Sequence, residues 1–96
     1  MLFMSQASAR HILVDSETKC LELKQAIEDG ADFAQLAKEN SSCPSGKTGG
    51  GLGTFGRGKM VPEFDQVVFS ADLNKVQGPI KTQFGYHLIE ITDRTE

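Results

Sequence analysis

Tyr86-His87-Leu88-Ile89-Glu90-Ile91, close to the end of this 96-residue chain, reads as a strand with a histidine at the head of an apolar row. Strand side chains alternate between faces, so His87 shares a face with Ile89 and Ile91. Near the other end, Arg10-His11-Ile12-Leu13-Val14 has the same character, with His11 on the face of Leu13. These are the only two histidines. If the two runs pair antiparallel, imidazoles distant in sequence lie side by side on one sheet face. A polar residue beginning each apolar row needs a reason.

Between the two runs the chain alternates helical and glycine-rich stretches. Residues 1–7 read as a loose leader, and 8–96 as one domain whose first strand spans about 8–14. Asp15 or Ser16 can cap a helix, because their side-chain oxygens accept otherwise unpaired backbone N–H groups. In that helix Cys20, Leu23 and Ile27 form an apolar stripe with Glu22, Lys24 and Glu28 outside it. Gly30 is placed to end it. Asp32-Phe33-Ala34-Gln35 has the spacing of a capping box and starts a second helix, buried through Phe33, Leu36 and Ala37. Seven of the ten glycines fall between positions 41 and 59, which predicts nothing helical longer than a turn there. Leu52-Gly53-Thr54-Phe55 fits a short strand inside that segment. Pro62 suits the first turn of a third helix, with Phe64, Val67 and Val68 inward. Val76 to Ile80 fits an edge strand, since Pro79 has no N–H to give a ladder. Thr82-Gln83-Phe84-Gly85 turns into the last strand, 86–92. The order β-α-α-loop-β-α-β-β predicts an α+β fold with the terminal strands as its central pair.

Composition narrows the function. The chain is 39% hydrophobic and 24% charged, with a net charge of −3. That is the profile of a soluble domain, and it argues against nucleic-acid binding, which calls for a basic face. No run approaches the length of a membrane span. Met1-Leu2-Phe3-Met4 is too short for a signal-peptide core. Cys20 and Cys43 fit no CxxC pattern and read as free thiols in a reducing, cytoplasmic compartment.

Three motifs mislead. Gly46-Lys47-Thr48 ends like a phosphate-binding loop, but the required earlier glycine is Ser41 and helix, not strand, precedes it. Gly51-Leu52-Gly53-Thr54-Phe55-Gly56 matches GxGxxG, yet no long helix follows it as a dinucleotide fold demands. His11, Cys20, Cys43 and His87 would suffice for zinc in number, but structural zinc sites draw ligands in close pairs, and Cys20 sits on a buried stripe. No metal or cofactor is therefore expected.

Set aside those motifs and His11, Cys43 and His87 remain, with apolar Leu52, Met60 and Phe64. Individually each fits a packed core or surface role. Their order along the chain is more telling. Arg10-His11-Ile12-Leu13-Val14, Gly30-Ala31-Asp32-Phe33 with Leu36-Ala37, and Ser42-Cys43-Pro44-Ser45-Gly46 come first. Gly50-Gly51-Leu52-Gly53-Thr54-Phe55, Gly58-Lys59-Met60-Val61-Pro62-Glu63-Phe64, Gly78-Pro79-Ile80 and Thr82-Gln83-Phe84-Gly85-Tyr86-His87-Leu88-Ile89 follow. This series resembles the parvulin family of peptidyl-prolyl cis/trans isomerases, most closely its small single-domain prokaryotic members, from about residue 8 to the end.

The resemblance implies an FKBP-like fold, a four-stranded antiparallel sheet surrounded by helices, with His11 beside His87. By motif position Cys43 matches the family's active-site Cys-or-Asp position. Leu52, Met60 and Phe64 match its proline pocket, and Thr82 matches the hydroxyl bonded to one histidine. It implies a monomer acting on proline-containing peptides and on unfolded or nascent protein clients. One departure stands out. Phosphate-specific members carry basic residues after the first strand, where this chain has Asp15-Ser16-Glu17-Thr18, so no phosphate preference is expected. Two other classes stay open on the residues alone: a chaperone-like peptide-binding module with little turnover, and a thiol enzyme using Cys43 as nucleophile.

Overall fold

Strands Gln6–Val14 (β1) and Gly85–Thr95 (β4) run antiparallel through the middle of a four-stranded sheet. Gly51–Gly56 (β2) and Val76–Thr82 (β3) form its edges, in the order β2-β1-β4-β3. The structure is a computed structural model and describes residues 5–95. Helices Glu17–Glu28 (α1), Phe33–Asn40 (α2) and Pro62–Val68 (α3) complete the fold, with a short 3-10 helix at Pro44–Thr48. The α+β reading and the central pairing of the terminal strands are both observed.

Register explains the two histidines. His11 stands opposite Ile89 and Leu13 opposite His87, so all four side chains share one face and the imidazoles meet diagonally. That face packs on α3: Phe64, Val68 and Phe69 cover Ala7, Ala9, Ile89 and Ile91. The opposite face carries Ile12, Val14 and Leu88 under Cys20 and Leu23 of α1 and Phe33 and Ala37 of α2. The sheet is thus buried on both sides, which is why its central strands are so apolar. Cys20 lies in the second core, across the sheet from both imidazoles, so the four candidate zinc ligands do not converge.

Local signals act largely as their chemistry dictates. Ser16 caps α1, accepting from the Lys19 N–H, and Gly30 (φ +109°) follows its end. Asp32 caps α2 by accepting from the Gln35 N–H at 2.9 Å. The reciprocal half of the capping box is replaced, because the Gln35 amide donates instead to Glu39, one turn on. Three boundaries differ from expectation. β1 begins at Gln6, so the last two leader residues are strand, held by β2 on one side and β4 on the other; residues 1–4 lie outside the described part. β4 extends to Thr95 through those same pairings. The glycine-rich stretch holds five residues of 3-10 helix, started by Pro44 and closed by Gly49.

Candidate active site

Five hydrogen-bonding side chains form a single line beneath an open cleft. Thr82 Oγ1 lies 2.7 Å from His87 Nε2, and His87 Nδ1 lies 3.2 Å from His11 Nδ1. His11 Nε2 is 3.1 Å from Ser45 Oγ, which donates to Cys43 Sγ at 3.2 Å. Counting protons orients the line. Ser45 gives its hydrogen to Cys43, so it accepts from His11 Nε2–H. His11 Nδ1 must then accept from His87 Nδ1–H, and His87 Nε2 from the Thr82 hydroxyl. Thr82 in turn accepts the Phe84 backbone N–H at 3.1 Å. Each donor finds one acceptor, and every buried side-chain nitrogen and oxygen among the described residues is bonded.

This order needs neutral imidazoles, and the surroundings supply them. Burial, with the nearby His87 adding to it, lowers His11 from its ordinary 6.5 to about 4. Burial also lowers His87, opposed by the carboxylate of Glu63. Removing a charged imidazole from water is costly without a counter-charge. His11 and His87 are 5% and 4% exposed. All four ring nitrogens are engaged, so neither histidine has a free one to exchange a proton with a substrate. The partner of Cys43 is Ser45 rather than an imidazole, which is not the thiol–imidazole contact of cysteine nucleophiles.

Phe64 joins this polar line to the cleft. Its ring stands edge-on to both imidazoles, with centroids 5.5 Å from His11 and 5.6 Å from His87, while the imidazoles stack at 5.3 Å. Above it opens a cavity of about 610 Å³ lined by Leu52, Met60, Val61 and Phe64 and by Leu13, Cys43, Pro44 and Phe84, with both histidines. Its lining contains one charged residue, Lys59.

The structure therefore gathers every residue singled out from sequence: His11, Cys43, Leu52, Met60, Phe64 and His87 line the cleft, and Thr82 stands directly behind His87. Two residues of equal standing went unread. Ser45 bridges Cys43 and His11, and only a serine two positions after the cysteine hinted at it. Phe84 forms part of the cleft although it is 62% exposed; an aromatic residue in a tight turn was the available signal. Among the described residues no three His, Cys, Asp or Glu side chains are grouped to hold a metal ion, and no helix is long and apolar enough to cross a membrane.

A sheet of this topology, with paired imidazoles below an apolar cleft, is the arrangement that the resemblance to the parvulin class implied. Residues 2–95 match the family model described as a PPIC-type PPIase domain. The foldase protein PrsA of Exiguobacterium sibiricum is 45% identical over 93 residues, covering 95% of this chain and 31% of that protein. A crystal structure of PrsA from Bacillus anthracis superposes with a TM-score of 0.93 at 34% identity, over 98% of this chain and 44% of that one. The solution structure of NmPin, the parvulin of Nitrosopumilus maritimus, gives a TM-score of 0.85 at 34% identity, over 96% of this chain and 100% of that one. The chain belongs to this family, the parvulin or PPIC-type PPIase domains. It spans about a third of the length of the curated PrsA relatives it matches.

Proposed function

We propose that the cleft takes the proline ring of an unfolded or flexible protein segment between Leu52, Met60 and Phe64 and accelerates rotation about the bond before it, without covalent chemistry. Amide resonance sets that barrier near 18–20 kcal/mol, so uncatalysed exchange takes on the order of tens to hundreds of seconds. No bond is made or broken. The protein need only hold the ring while favouring the twisted amide over both planar states. An apolar cleft suits this, because the planar amide is the more polar form and loses more on leaving water. Cys43 lies near the substrate carbonyl in this reading, and the imidazoles act as a rigid, neutral floor.

The observation that carries the non-covalent mechanism is the engagement of all four imidazole nitrogens within the chain itself. The foldase names of the relatives support unfolded clients. The two free thiols support a reducing, cytoplasmic setting, and the expected monomer is checked by sedimentation at micromolar concentration.

Exchange NMR on an Xaa-Pro peptide tests the reading with wild type, Met60→Ala and Cys43→Ser. Phe64 belongs to the core as well as the cleft, so its truncation would confound folding with binding; Phe64→Leu replaces it. Faster exchange in wild type that drops with Met60→Ala and Phe64→Leu supports isomerisation. Binding without accelerated exchange means a peptide-gripping module instead. Covalent capture at Cys43 means a thiol enzyme.

A further inference from the structure

Lys59, Met60 and Val61 reach the cleft from the loop 57–61, which joins the end of β2 to the start of α3. Met60 and Val61 rest partly on the core beneath α3. Arg57, Gly58 and Lys59 are exposed, and a methyl built on Gly58, at φ +82°, would meet nothing within 4 Å. Packing therefore does not fix the course of the chain there, and exposed backbone without partners opens readily.

Asp65 supplies what packing does not. It lies in the first turn of α3, its side chain 15% exposed against 56% for Arg57. Oδ1 accepts the Gly58 N–H at 2.9 Å, while Oδ2 is 3.6 Å from Arg57 Nη2. A hydrogen bond to a sheltered carboxylate is strong, whereas a long ion pair with its cation in water adds little. The guanidinium carbon of Arg57 also stands 4.8 Å from the centre of the Phe69 ring. The Asp65 N–H donates to the Val61 carbonyl at 2.9 Å, so one residue holds the loop near both ends. Its neighbour Phe64 stands edge-on to both imidazoles, which ties the loop and the floor of the cleft to one helical turn. Asp65 itself does not line the cleft.

We infer that Asp65 is a positioning residue, whose carboxylate holds the loop so that Met60 is in place for the proline ring before a substrate arrives. The inference rests on the proposed isomerase reading, which gives Met60 that task. A looser loop leaves fewer molecules competent to bind, and apparent affinity falls by that fraction. The bound complex then reacts as before, so the loss falls on KM and Kd rather than on kcat.

The test compares wild type with Asp65→Ala, Asp65→Asn and Arg57→Ala on one Ala-Pro peptide. The readouts are kcat and KM from exchange NMR, Kd from NMR titration, and exchange of the Gly58 amide with water. In wild type that amide should exchange about tenfold more slowly than in an unstructured chain, despite its exposure. Asp65→Ala should abolish this protection and raise KM and Kd by about threefold or more, with kcat within about twofold. Asp65→Asn keeps the acceptor oxygen and should restore most of both. Arg57→Ala should change neither by more than about twofold. Should Asp65→Ala fail to fold, Asp65→Gln, a good helix former that misplaces the oxygen, takes its place with the same expected result.

An unprotected Gly58 amide in wild type overturns the inference without any variant. So does an unchanged KM when the carboxylate is removed, an Asp65→Asn no better than Asp65→Ala, or an Arg57→Ala as damaging as either. A wild type that binds the peptide without accelerating its exchange refutes the isomerase reading separately, and the Kd values and the Gly58 amide still decide the role of Asp65.

Discussion

His11 and His87, 76 positions apart, face each other nitrogen to nitrogen at 3.2 Å in the centre of the sheet. At that contact one Nδ1 must donate and the other accept. A second proton would leave two hydrogens between the rings and a charge among apolar side chains. The pair is therefore stable only when neutral, and the groups at its two ends, Thr82 and Ser45, determine which ring donates.

Acidification should break this contact. The sign follows from His11, whose folded pKa of about 4 lies below its ordinary 6.5. Between those values the unfolded chain takes up a proton that the folded chain refuses, so stability is full above about pH 6.5 and falls as the pH drops toward 4. The loss is on the order of 3 kcal/mol for His11. Urea denaturation from pH 7.5 to pH 4 measures it, and isomerase activity should stay level above pH 6.5. Constant stability across that range would contradict the assignment of neutral, buried imidazoles.

Thr82→Val, which keeps the shape and removes the hydroxyl, should cost about 1–3 kcal/mol. It leaves buried His87 Nε2 without its donor and the Phe84 N–H without its acceptor. The readouts are denaturation and the nitrogen shifts of His87, which should report a changed tautomer. An unchanged imidazole spectrum would mean that the line of hydrogen bonds is not oriented from this end.

Two glycines in the rich segment should respond differently to alanine. The Gly50 carbonyl accepts the His11 N–H at 3.0 Å, and Gly50 has φ +88°; a methyl there would collide with the His11 carbonyl. Gly53, at φ +70°, has open space beside it. Gly53→Ala should lose only the conformational term of about 1–2 kcal/mol, whereas Gly50→Ala should lose more and shift the His11 resonances. Thermal unfolding and histidine spectra separate them.

One thiol should react in the native state. Cys43 is partly exposed in the cleft, while Cys20 is fully buried and its thiol is pushed up to about 11, mainly by burial. A chromogenic disulfide should therefore titrate one group before unfolding and two in denaturant, with the first protected by bound Xaa-Pro peptide. Two fast-reacting thiols in the native protein would contradict this placement.

Phosphorylating the residue before proline should not help. β1 ends at Val14 and α1 begins at Glu17, so only Asp15 and Ser16 connect them, leaving no room for a basic loop and placing carboxylates there. Paired peptides with and without phosphate, compared by exchange NMR, check it. A gain of about tenfold, worth roughly 1.4 kcal/mol, would reverse the expectation.

The sequence by itself determined the elements and the central pair. Apolar runs at both ends marked the two strands that pair at the centre, and Ser16, Asp32 and Pro62 fixed the helix starts through backbone chemistry that acts within a few residues. Periodicity put each histidine on the face of its own row, and the register, with His11 opposite Ile89, brought both onto one face. Residues around the cleft were legible through motif order, a likeness and not a derivation. Only the tertiary structure decided that Ser45 links Cys43 to His11, that every imidazole nitrogen is occupied, and that Phe84 walls the cleft. Those facts depend on where a glycine-rich loop and a two-residue turn meet strands dozens of positions away. Alternation along one strand carries no information about that. It arises where the loop's N–H and carbonyl groups find partners on Leu13 and His11.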